Sequence, residues 1–176
     1  MRLAIPFLIG AGLCALTGCS GLISLNPFAP DNLVIQNPAL PGVWSDSDST
    51  VIIKARDRGY SITMVSRDKN DGTLNFTAQL FGAGNAEILD LVSADDKDPF
   101  RIAVHTPVRI WVDEHTLKFA YLDSKWLRAQ ARAQLPVQEM GDRTLITAPA
   151  DALTKFLLLN GGDDRAYEGT PEVLER

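Results

Sequence analysis

Two histidines, three tryptophans and two cysteines are the residues of this 176-residue chain whose chemistry is worth weighing first. His105 shares its parity with Arg109 and Trp111, while Ile102, Val104, Val108 and Ile110 occupy the opposite face of the same alternating stretch. An acid such as Asp90 could orient the His105 ring and make it a general base. Without a serine motif or a nucleophile elbow to receive that base, a hydrogen bond to a neighbouring strand or loop is the expected role, and no catalytic residue is assigned. His115 falls at a turn and is expected in solvent. The run Asp46-Ser47-Asp48-Ser49-Thr50 begins like a calcium loop but lacks the central glycine and the closing glutamate; Asp68-Lys69-Asn70-Asp71-Gly72 has its glycine one place early. Both read as turns whose Asx side chains bond their own backbone. No metal-ligand set and no cofactor motif stands out. Trp44, Trp111 and Trp126 can line an apolar pocket or fill a core. Of these, Trp44 and Trp111, with Arg109, form the candidate ligand-binding set.

Both cysteines, Cys14 and Cys19, lie at the N-terminus. Residues 1–18 carry one charge, Arg2, then an apolar run from Leu3 to Leu16 and the small pair Thr17-Gly18. That order is the grammar of an export signal, and the run is short of the roughly 20 residues a membrane span needs. Removing it leaves about 158 residues, enough for one domain with its own core. The apolar fraction of 45% and charged fraction of 22% place that remainder among globular chains. Without Arg2 the net charge is one unit more negative than the −5 of the whole chain. Bulk charge therefore offers nothing to nucleic acid or to anionic headgroups.

The elements that must position these residues are mostly strands. Residues 20–42 hold Pro27, Pro30, Pro38 and Pro41, and read as an extended tether. From residue 50 the pattern alternates. Tyr60, Ile62 and Met64 share a face, as do Leu74, Phe76, Ala78 and Leu80, with further strands over 87–92, 102–112 and 116–122 and a kink at Pro107. Two helices are expected over 125–135 and 149–159, the first capped by Asp123 or Ser124, with Leu153, Phe156, Leu157 and Asn160 at helical spacing in the second. A short strand over 144–147 separates them. The expected fold is mainly β, an antiparallel meander forming a small barrel or curled sheet, with two helices in the C-terminal half. Its parts are a signal over 1–18, a cysteine and tether over 19–41, a globular domain over 42–162 and a polar tail over 163–176.

Two short motifs carry resemblances. Leu16-Thr17-Gly18-Cys19 resembles the lipobox of bacterial lipoproteins. That likeness implies a diacylglycerol on the Cys19 thiol, cleavage just before it, and attachment to a membrane through acyl chains. Cys14 follows Leu13 where a small residue is preferred, so it fits less well. Ser20, rather than Asp, after the cysteine resembles the pattern that sends such proteins to the outer membrane, which implies a position facing the periplasm. Gly42-Val43-Trp44, ahead of the meander, resembles the Gly-x-Trp motif of lipocalins and their calycin relatives. It implies a tryptophan plugging one end of a barrel, stacked on an arginine from a late strand, for which Arg109 and Arg143 are the candidates. The stretch from Val104-His105-Thr106 to Trp126-Leu127 is also similar to bacterial lipoproteins of unassigned function. The expected function is an envelope-anchored structural or protein-interaction module; the alternative is a calycin-like binder of a lipid or other small apolar ligand.

Overall fold

Alternating apolar residues bounded by Gly- and Asx-rich turns fold here into hairpin after hairpin. The structure, a computed structural model, describes residues 22–68, 72–94, 102–131, 134–140, 143–167 and 169–176. Seven successive antiparallel strands form a meander: β3 (Gly42–Ser45), β4 (Ser49–Arg56), β5 (Gly59–Ser66), β6 (Thr73–Ala83), β7 (Ala86–Ser93), β8 (His105–Val112) and β9 (Thr116–Tyr121). The last strand, β12 (Glu172–Glu175), enters between β9 and β3, and β8 pairs with β9, so eight antiparallel strands close into a barrel. Closure leaves the ring without free edges.

Three short strands extend the sheet beside β8: β1 (Leu22–Ser24) lies parallel to β11 (Arg143–Ile146), which pairs with β10 (Val137–Met140). Ser24 of β1 faces His105 at the start of β8, and β9 takes over from Val108 onward. Pro107 sits at this hand-over, paired in register with Asp90 of β7 and, among the described residues, with none on the other side. A similar exchange occurs on β6, whose first half pairs with β5 and whose second half pairs with β2 (Val34–Ile35). Gly59 marks that point. Its φ is +119°, and a Cβ there would collide with the Ala78 carbonyl oxygen, so the tip of the β4–β5 hairpin can press against β6 only with glycine at this position.

The barrel has an apolar inside and, over part of its circumference, an apolar outside as well. Trp44, Ile53, Tyr60, Leu80 and Val108 belong to the inner core. The outer core joins Phe81, Ala83 and Ile88, on the outer faces of β6 and β7, to Leu153, Phe156 and Leu157 of α2 (Ala150–Asn160). Trp126 of α1 (Ser124–Ala131) adds its ring against Phe156 at 6.4 Å. Asp123 caps α1, its carboxylate accepting from the amides of Lys125 and Trp126 at 2.6 and 2.9 Å.

Three expectations about the chain's organisation are corrected. Over its described part the tether is folded: Phe28, Ala29 and Leu40 are at most 1% exposed, because the apolar outer face of β6 and β7 and one end of the barrel require cover. The tail beyond residue 163 is equally part of the structure. It supplies a 3-10 turn (Asp164–Ala166) and β12, without which the ring would stay open between β3 and β9. The boundaries drawn at 42 and 162 therefore do not delimit the folded unit. Finally, β8 starts only at His105, and Ile102 is 70% exposed.

Candidate functional site

Inside the barrel, the inward residues of six meander strands and β12 surround a small chamber. Its wall includes Val51, Ile62, Leu89, Ile110, Leu117 and Leu174, and every residue lining it is apolar or aromatic. The chamber measures about 70 Å³ to the centre of a water-sized sphere. A cavity of about 150 Å³ in an engineered protein holds a benzene, so this one admits a slender group such as the end of an alkyl chain. Met64, Phe76, Leu91, Phe119 and Tyr121 are its partly buried wall members, and methionine adapts easily to a guest. Glu172 pairs in register with Phe119 and so shares the interior face of β12. Burial, with the nearby Asp46 charge, raises its carboxyl above the usual glutamate range. Burial likewise raises the Tyr121 phenol.

Trp44 lies in the same core but not on the chamber wall. Its indole N–H donates to the Leu40 carbonyl at 2.9 Å, and the Arg176 guanidinium stacks on its ring at 4.4 Å. Arg176 also donates to the carbonyls of Ala39 and Pro41 at 2.7 and 3.2 Å. The stacking partner expected from the sequence was Arg109 or Arg143. Neither fills the role: Arg109 points outward from β8, and Arg143 is exposed at the start of β11.

Register gathers the outward residues into rows across the sheet. Thr77, Val92 and His105 form one, and Gln79, Asp90 and Pro107 the next. Phe81, Ile88, Arg109 and Ala120 form a third. The expected pairing of His105 with Asp90 is present, Nδ1 lying 2.9 Å from the carboxylate. The same Asp90 oxygen accepts from the Phe28 amide at 3.1 Å. Asp90 thus ties β7 to β8 and to the N-terminal segment, the role expected of a structural histidine pair. Its other oxygen is buried and has no partner among the described residues. Two rows on, the Arg109 guanidinium lies 4.4 Å from the Trp111 ring and 5.1 Å from that of Tyr167, and donates to Asp164 at 2.8 Å. Burial holds the Tyr167 phenol up to about 12, with the Arg109 charge working against it.

No protein-family model matches this chain, and neither a curated protein nor a solved structure is significantly similar to it.

The three residues singled out for ligand binding therefore separate. Arg109 and Trp111 meet outside the barrel and Trp44 is buried inside it, so they do not form one pocket. Asp46 closes its turn by accepting from the amides of Asp48 and Ser49. Among the described residues no cluster of three metal-ligating side chains occurs. Cys19 lies outside the described residues. Sequence reasoning missed Arg176, Asp164 and Tyr167 because all three fall in the segment read as a tail. The apolar pair Val173-Leu174 in an otherwise polar stretch was the available signal, though two residues make a weak one.

Proposed function

We propose that this chain is a bacterial envelope lipoprotein, held to the membrane by acyl chains at Cys19, whose barrel binds one small apolar ligand. The chamber carries this reading: a closed eight-stranded ring whose central wall is formed only by apolar and aromatic side chains. Such a wall binds by excluding water from apolar surface, at about 25 cal/mol per Å² removed. It gives no grip to a polar substrate. The stack of Arg176 on Trp44 supports the calycin-like reading, since it places an arginine from the end of a late strand where that resemblance implies one. The interaction-module reading ranks second here; exposed Leu158 and Leu159 on α2 would serve it. No catalytic role is assigned to His105 and Asp90, whose bonds to each other and to Phe28 account for both as a structural tie.

The test is saturable binding of a straight-chain alcohol such as 1-octanol, read by titration calorimetry, with native mass spectrometry of the purified protein. One molecule per chain is expected to bind, and Leu91→Trp, which fills the chamber from a partly buried position, should abolish binding with little change in melting temperature. If neither the alcohol nor a co-purifying apolar molecule occupies the wild-type barrel, this function is wrong.

A further inference from the structure

The outer face of the barrel holds a second, polar cleft of about 370 Å³, far roomier than the apolar chamber. Its floor is built from adjacent strands: Thr77 and Gln79 on β6, Asp90 on β7 and His105 on β8. Arg56 and Arg58, from the tip of the β4–β5 hairpin, stand at its edge. Gly59 lets that tip lie against β6, which brings both guanidiniums to the cleft.

Each group arrives with unused capacity. Among the described residues the Arg56 guanidinium, the Thr77 hydroxyl and the Gln79 amide have no hydrogen-bonding partner. Arg58 pairs with Asp31 at 2.8 Å, but both side chains are exposed, and a surface pair of this kind is weak enough to exchange for a ligand. Asp90 accepts from Nδ1 of His105 and so fixes the ring, leaving Nε2 as the atom available to a ligand. The buried Asp90 oxygen that has no partner among the described residues marks the floor as polar. The edge carries two guanidiniums, that of Arg58 shared with Asp31.

We propose that this cleft binds a polyol phosphate. The two guanidiniums take the phosphate through paired N–H donors, the geometry for which arginine is suited. Thr77, Gln79 and His105 Nε2 take the adjacent hydroxyls, each of which both donates and accepts. The chemistry is common to a soluble sugar or glycerol phosphate and to a glycerophosphate headgroup presented by a lipid. The site is independent of the apolar chamber and stands or falls separately from it.

Titration calorimetry on the full chain in a nonionic detergent tests the assignment with glycerol 3-phosphate, inorganic phosphate and glycerol. We expect glycerol 3-phosphate to bind about tenfold more tightly than phosphate, and glycerol alone not to bind. R56Q, at an exposed hairpin tip that should still fold, is expected to weaken both anions about tenfold. H105Q should remove the advantage of glycerol 3-phosphate over phosphate while leaving phosphate binding intact. Short-chain phosphatidylglycerol competing with glycerol 3-phosphate would identify a headgroup as the source; glycerol 3-phosphate binding without such competition would identify a soluble ligand. Equal affinity for the two anions means an adventitious ion only, and that result, or R56Q without effect, overturns the proposal.

Discussion

Trp44 shows how a single side chain can be legible in type but not in partner. Gly42-Val43-Trp44 singles it out in the sequence, and the structure buries it completely with its N–H satisfied by Leu40. Its arginine could not be chosen from the sequence, since pairing depends on which late strand closes the ring. The parity of Arg109 with His105 and Trp111 already placed it on the opposite face from the inner core. Truncation of a buried tryptophan leaves a large void, so Trp44→Ala should cost about 3–5 kcal/mol. Arg176→Ala, which removes an exposed cation from the ring, should cost nearer 1 kcal/mol. Chemical denaturation measures both. Equal effects would mean that the guanidinium, rather than the filled volume, secures this end of the barrel.

Among the elements, hairpins were readable and the covering layer was not. Strand β5 and the part of β6 up to Leu80 alternate, because one face of each meets the interior while much of the other meets water. In β7 the neighbours Ile88 and Leu89 are both buried, one under α2 and one inside the barrel. That doubled run was the sign of a strand covered on both faces. The segment that helps to cover it, with Phe28 and Ala29, has no periodicity and many prolines, so it resembled a linker. The β8–β9 hairpin yields a pH prediction. Asp113 accepts from the amides of His115 and Thr116 and from the Thr116 hydroxyl, and these bonds lower its carboxyl from 3.8 to about 2. A lowered folded value stabilises the hairpin above the unfolded one, and that contribution is lost as pH falls from about 4 through 2. Thermal melts should therefore show Asp113→Ala less stable than wild type at neutral pH, with the gap closing toward pH 2. A gap that stays constant across that range would refute the assignment.

For the molecule as a whole, the proposed anchor and the fold are closely spaced. Strand β1 begins at Leu22, three residues after Cys19, and three residues reach at most about 11 Å even when fully extended. Acyl chains at Cys19 would therefore hold the domain against the bilayer surface rather than on a long tether. Cys19→Ser should move the protein from the membrane pellet to the soluble fraction and abolish incorporation of a palmitate analogue. Retention in the pellet, or absence of label in the unaltered chain, would remove the basis for the proposed location. The barrel was foreseeable from the meander, but the strand that closes it was not, because that strand lies some fifty residues beyond β9 and is four residues long.

The first strand and the last third of the chain are sewn together. β1 lies along β11, the Thr154 hydroxyl donates to the Phe28 carbonyl, and Arg176 reaches back to Ala39. Contacts between positions more than a hundred residues apart form late, since the intervening loop must first be closed. A chain emerging N-terminus first cannot satisfy its own opening segment until nearly all of it has emerged. Completion of the native state is thereby deferred to the end of synthesis or translocation, and until then Phe28 and Leu40 are surfaces for a chaperone to hold.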